Sequence, residues 1–279
     1  MRFGIKTNPQ HTEWDRVVAT WQKADEVDII DSAWLFDHFY PIHGDTNGPC
    51  LEGWTTLAAL TQVTSRVKVG SMVNAMPYRH PAVTAKMAAT LDIISEGRFQ
   101  LGLGAGWYQR EADAYGITLG DTLTERFDRF DEGVEIVVRM LSQEETTFEG
   151  KYFTVTDAHN EPKGPQQPHV PIVIGGTGER RTLRTVARWA DHWNSAPLDP
   201  QEWNHKVSVL EAHCADVGRD PGEIAKSMMV RLGRDDMDQL PQTFQRLTDM
   251  GVDEAIVSLR SPHHPDQVLM VAEAASRVA

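Results

Sequence analysis

The chain has 279 residues, 41% hydrophobic and 24% charged, which is ordinary globular composition and enough apolar material for one large core. A formal net charge of −13 argues against nucleic acid or an anionic membrane surface as a partner. No apolar run is long enough to span a bilayer, no secretory leader pattern is read at the start, and the isolated Cys50 and Cys214 point to a reduced, cytoplasmic protein.

The chain alternates short apolar segments with amphipathic ones. Residues 2–6 read as a strand, and 11–27 as a helix with Trp14, Val17, Trp21 and Ala24 on one face. A second strand is expected at 33–36, a second helix at 53–63 and a third strand at 67–70. The third helix, 80–94, has Pro81 in its first turn and Val83, Met87 and Leu91 along one stripe. Residues 98–103 are short, apolar and bounded by glycine, as a parallel strand buried on both faces should be. A fourth helix opens on a capping box, Thr122 to Glu125, and buries Phe127, Phe130, Val134, Val137 and Leu141.

The stretch 148–155 reads as a small hairpin before a fifth strand at 171–174. A helix at about 179–190 and a brief strand at 191–194 follow. Asp199 to Glu202 caps a sixth helix that gathers Trp203, Val207, Leu210 and Cys214, and 226–232 and 254–259 supply the last two strands. Eight such units predict an α/β fold: a single (β/α)8 TIM barrel over residues 1–279, with a hairpin insertion between strands four and five.

In a barrel, chemistry gathers where strands end at their carboxyl side. Asp37 and His38 follow the second strand; the ordinary role of a lone histidine there is to satisfy a loop carbonyl. Gly104, Ala105 and Gly106 follow the fourth strand and leave backbone N–H groups open to a flat or anionic ligand. The spacing is not the G-x-G-x-x-G of a dinucleotide fold, so these glycines alone are weak evidence. Gly175, Gly176, Thr177 and Gly178 lead into a helix, where amides and dipole favour an anion. Eleven histidines include no H-E-x-x-H and no Cys/His pairing, so no metal is expected.

Several blocks in order, MRFGI, SAWLFDHF (32–39), GPCLEGWTTLAAL (48–60), TSRVKVGSMVNAMPYRHPAVTAKMAATLD (64–92), LDIISEGRFQLGLGAGWYQREADAYGI (91–117) and VIGGTGERRTLRTVARWADHWN (173–194), spread over roughly two thirds of the chain. Together they resemble the bacterial luciferase-like monooxygenase family, in particular its branch of oxidoreductases that use the deazaflavin F420. Asp28-Ile29-Ile30 stands where most members carry Gly-Phe or Gly-Tyr before the second strand, and no block is matched after Asn194. The resemblance implies that Asp37 and His38 face the cofactor ring, with His38 catalytic, since imidazole titrates near neutrality. It also implies a cis peptide between Met72 and Val73 that props the ring, with Asn74 beside it. The glycines at 104–106 and 175–178 would complete the cofactor site, and Phe39, Tyr78 and Trp107 would wall the substrate side.

The leading reading is hydride transfer between F420 and a small organic substrate, with the difficult chemistry belonging to the cofactor. The alternatives are a monooxygenase using reduced FMN and a cofactor-binding barrel without turnover. PYRHPA (77–82) and GPCLEGW favour the F420 branch by resemblance. The expected partners are a small-molecule substrate, a separate reductase supplying reduced cofactor, and a second copy of the chain in a homodimer.

Overall fold

The computed structural model describes residues 1–231 and 237–278. Its strands are β1 (Arg2–Lys6), β2 (Ser32–Leu35), β3 (Lys68–Ser71) with a two-residue continuation β4 (Asn74–Ala75), β5 (Phe99–Gly104), β6 (Glu145–Glu149), β7 (Thr154–His159), β8 (Ile172–Gly175), β9 (His192–Ser195), β10 (Ala225–Arg231) and β11 (Glu254–Ser258). β1, β2, β3, β5, β8, β9, β10 and β11 pair in that order, all parallel, and β11 returns to β1. This is the eight-stranded barrel the sequence predicts. β6 and β7 form the expected antiparallel hairpin between the fourth and fifth barrel strands.

The helices are α1 (Trp14–Glu26), α2 (Gly53–Leu60), α3 (Pro81–Ile94), α4 (Gln109–Ala114), α5 (Leu123–Ser142), α6 (Thr182–Trp189), α7 (Pro200–Val217), α8 (Leu240–Asp249) and α9 (Pro265–Ser276). Two apolar layers follow from the period-two alternation of the strands. Outward side chains such as Ile5, Leu101, Leu103, Ile172 and Val257 join the helix-facing core, while Trp34, Met72, Val173 and Ile256 plug the barrel interior. Each large side chain buried this completely contributes about 1.5–3 kcal/mol. Trp21 is fully buried and still satisfies its indole N–H, on the Thr7 hydroxyl at 2.8 Å.

The structure corrects several details. α1 begins at Trp14, which is exposed rather than part of the buried face of Val17, Trp21 and Ala24. Of the expected stripe on α3, Leu91 is buried and Met87 packs partly against the core, but Val83 is half-exposed, and the inward face also carries Thr84, Ala85, Ala88 and Ala89. Small residues there let the helix approach closely. Thr122 caps α5 by accepting from the Glu125 amide, but Glu125 reaches back to the Asp121 amide, so the capping box is incomplete. Asp199 and Glu202 form a complete one at the start of α7. Phe127 and Val207 are only partly buried. α4 was not anticipated. Leu232, the expected end of the seventh strand, lies outside the described residues. Among the described residues no helix is long and apolar enough to cross a membrane.

Candidate active site

A cavity of about 910 Å³ opens where the strands end, lined by Lys6 of β1, His38 beyond β2, Val73 beyond β3, Gly104 of β5, Arg231 of β10 and Ser258 of β11. One wall is a bulge. Gly70 of β3 faces Gln100 of β5, and Asn74 of β4 faces Leu103, so four steps on one side match three on the other. The Met72–Val73 peptide within this bulge is cis. Glycines make it fit: a Cβ on Gly102 would lie 1.9 Å from the Ser71 carbonyl oxygen, and Cβ atoms on Gly104 and Gly175 would lie 2.7 and 3.0 Å from the Val73 methyls. Gly104 and Gly175 therefore admit the Val73 side chain, and Gly104 also lines the cavity.

Beside the bulge, the rim beyond β2 and β5 is built on a buried carboxylate. Glu111 of α4 is fully buried and accepts from His38 Nδ1 at 2.8 Å, from the Tyr40 amide at 2.7 Å, from the Phe39 amide and from the Tyr78 hydroxyl. Burial opposes its ionisation, yet the bonds from His38, Tyr78 and the Tyr40 amide outweigh it and hold the carboxyl below its usual range. An ionised Glu111 can only accept, so Nδ1 carries the proton and Nε2 is the nitrogen left for a ligand. Burial and the Glu111 contact push the Tyr78 phenol upward, so Tyr78 is a fixed donor to the carboxylate.

Asp37 is the adjacent residue but has a different task. Its fully buried carboxylate takes a two-pronged contact from Arg79, at 2.7 and 3.0 Å, and Arg79 also reaches Glu52 at 2.8 Å. Burial pushes the Asp37 carboxyl above its usual range against the opposing pull of Arg79. Asp37 thus anchors the rim, and its carboxylate is not offered to a ring. The Cys50 thiol, donating to the His38 carbonyl at 3.5 Å, is pushed up to about 12 by burial and stays protonated.

A family model described as luciferase-like monooxygenase matches residues 1–245. The chain belongs to that family. An uncharacterised protein of Mycobacterium tuberculosis is 30% identical over 247 residues, 86% of this chain and 83% of that one. A Microbacterium testaceum protein named F420-dependent glucose-6-phosphate dehydrogenase is 31% identical over 239 residues, 83% of this chain and 68% of that one. A solved structure of an F420-dependent secondary alcohol dehydrogenase, in complex with an F420-acetone adduct, superposes with a TM-score of 0.88. It is 19% identical and covers 100% of this chain and 99% of that chain, which shows the shared fold.

Within this luciferase-like barrel the expected site residues divide. Asp37, His38, Met72, Val73, Asn74, Tyr78, Gly104, Gly106 and Trp107 come together around the cavity. Trp107 is 60% exposed, stacks on Tyr108 and meets the His38 ring edge-on at 5.7 Å, so it stands at the mouth. Phe39 does not line the cavity: its ring lies between Tyr78 and Tyr115, at 4.9 and 4.5 Å. Ala105 packs into the core, and Gly106 takes a left-handed turn with φ +80° beside Pro77.

The 175–178 loop lies beyond the cavity lining and is half committed. The Gly176 amide donates to the Asn194 carbonyl at 3.0 Å, and the Gly176 carbonyl accepts from the Trp193 indole at 2.7 Å. The amides of Thr177 and Gly178 make no hydrogen bond among the described residues. They are the donors left for an anionic group. Asn74 adds a further open valence: its amide nitrogen donates to the Gly102 carbonyl at 2.8 Å, while its buried Oδ1 has no partner among the described residues. A ring with a polar edge against the bulge, and an acidic chain toward Thr177 and Gly178, fits these donors and acceptors.

Glu111 is the functional residue the sequence reading missed. Its signal was an acidic residue inside an aromatic cluster, Trp107, Tyr108 and Tyr115, just past the fourth barrel strand.

Proposed function

We propose that this chain is an F420-dependent oxidoreductase that oxidises an alcohol carbon of a small organic substrate. The observation that carries the reading is the His38–Glu111 pair. A buried carboxylate fixes one imidazole nitrogen as donor, leaving Nε2 as a base facing a cavity large enough for a cofactor and a substrate. When bound, F420 supplies the hydride acceptor. The chain's own part is to hold the substrate hydroxyl at Nε2 and to take its proton, with the imidazolium stabilised by Glu111. Asn74 and the Val73 bulge orient the ring, and Thr177 and Gly178 hold acidic groups through their amides. Two F420-dependent dehydrogenases among the similar proteins support the choice of cofactor and direction.

The second reading, a monooxygenase using reduced FMN, is favoured by the family's own description. A deazaflavin lacks the ring nitrogen that makes flavin oxygen chemistry easy, so the two readings separate cleanly. The test is turnover of purified protein with F420 across a panel of alcohols, followed by loss of the oxidised cofactor's visible absorbance. Bleaching with an alcohol supports the reading; oxygen consumption with reduced FMN, and none of that bleaching, reverses it.

A further inference from the structure

The cavity holds a cation that the proposed chemistry does not use. Lys6 ends β1 with its side chain turned into the barrel, and the residue is only 6% exposed. Among the described residues its ammonium has one hydrogen-bond partner, the Met229 thioether at 3.8 Å, which is a weak acceptor, and no carboxylate pairs with it. A buried, unpaired charge is costly, and replacement by an apolar residue of the same length would remove the cost. The carboxylates nearby are engaged elsewhere. Asp37 is held by Arg79, and Asp45 at the cavity mouth accepts from the Asn47 amide.

A second cation stands at the same level. Lys6 is in register with Ser258 of β11, and Ser258 is in register with Arg231 of β10. In-register residues on parallel strands share a face, and all three line the cavity. Two strand spacings separate the Lys6 and Arg231 backbones by roughly 10 Å, a span that two long side chains close onto one small group. Burial, and then Arg231, push the Lys6 ammonium down to about 8. Burial followed by Arg231 and Lys6 likewise lowers the His43 imidazole on the same cavity. Two cations of a chain with net charge −13 thus flank one hydroxyl, Ser258.

We propose that Lys6, Ser258 and Arg231 form a docking site for an anionic group, a carboxylate or a phosphate, on the substrate. This rests on the reading of the cavity as the F420 oxidoreductase site and narrows its substrate class. The substrate has two ends, a charged one held by β1, β11 and β10 and a hydroxyl-bearing carbon presented to His38. Ser258 donates the neutral hydrogen bond between the two cations. Specificity against uncharged alcohols follows, because they leave the buried ammonium unpaired.

The test titrates purified protein with inorganic phosphate and, separately, with succinate at constant ionic strength. F420 is titrated into the same samples. The expected result is saturable binding of at least one anion, weakened about tenfold or more by Lys6→Met and by Arg231→Met, the size of one charge-assisted hydrogen bond. The tighter anion identifies the substrate's group as phosphate or carboxylate. F420 affinity should stay within about twofold in both variants. Lys6→Met should also raise Tm in the absence of anion, by about a few degrees, because it removes an unpaired buried charge. Anion binding that persists while F420 fails to bind supports the docking site and removes the cofactor reading. Absence of saturable anion binding, equal binding in the variants, or a lowered Tm for Lys6→Met would overturn the proposal. A loss of F420 affinity equal to the loss of anion affinity would assign the pair to the cofactor and overturn it as well.

Discussion

Glu111 and His38 lie 73 positions apart in the chain and meet with Nδ1 and Oε2 at 2.8 Å. The carboxylate fixes Nδ1 as the donor, leaves Nε2 for a ligand, and would stabilise an imidazolium in the proposed reaction. His38→Ala should retain fold and cofactor and lose turnover by about 10²–10⁴-fold, the usual range for a general acid–base group. His38→Asn keeps a hydrogen-bonding group but cannot titrate, and should recover little of that loss. Single-turnover kinetics on the true substrate measure both. An unchanged His38→Ala rate would reduce His38 to a packing residue.

The same contact predicts a stability profile. The Glu111 carboxyl is held below its usual range, so its contribution is fully present above the unfolded carboxyl's value of about 4.3. It is lost as pH falls through the lower, folded value. Glu111→Gln should cost about 1–3 kcal/mol at neutral pH, because an amide cannot accept all the donors aimed at it. The gap between wild type and variant should close in acid, where wild-type Glu111 is itself protonated. Urea melts at pH 7 and at pH 3 give the comparison; a pH-independent gap would contradict it.

Arg79 and Asp37 form the structural counterpart of the His38 site. Arg79→Met strands a fully buried carboxylate and should destabilise the protein by about 3–5 kcal/mol. Adding Asp37→Asn should recover most of the loss, since it removes the stranded charge. Chemical denaturation of the single and double variants checks this, and strict additivity would show that the two side chains are not coupled.

The glycine loop is best tested at Gly178. Gly176 has φ +123°, so any side chain there strains the backbone and confuses folding with binding. A Cβ on Gly178 would meet the Thr182 hydroxyl at 2.9 Å, in a loop where the Thr177 and Gly178 amides make no hydrogen bond among the described residues. Gly178→Val should weaken F420 binding about tenfold or more by losing an amide contact to an anionic group, with the barrel still folded by circular dichroism. Unchanged affinity would make the loop a plain turn.

How much of this was legible in the sequence depends on whether the cause was local. The barrel strands are short apolar runs closed by glycine or a polar residue, and Asp199 with Glu202 carries a cap within four positions, so these were readable. The hairpin announced itself through Phe148 to Val155. The α3 face is only partly legible, through Leu91 and Met87, because the rest of the inward surface is alanine and threonine, which carry little hydrophobic signal. Glu111 was invisible for another reason: α4 is only six residues long and lacks apolar periodicity, and the partner of Glu111 lies on another strand's loop. The resemblance places Asp37 beside the ring; that Arg79 holds its carboxylate depends on a residue 42 positions away and is not visible locally. That the glycines at 104 and 175 also make room for the Val73 side chain is not legible locally, because only the closed barrel brings that side chain there.

F420 is the cofactor proposed for this cavity. The most direct measurement is a side-by-side equilibrium titration of the purified protein with F420 and with FMN, each followed by its own fluorescence. F420 is expected to bind in the micromolar range or tighter, roughly −8 kcal/mol or better, and FMN at least about tenfold more weakly. Tight retention of FMN through purification, with no response to F420, would contradict it.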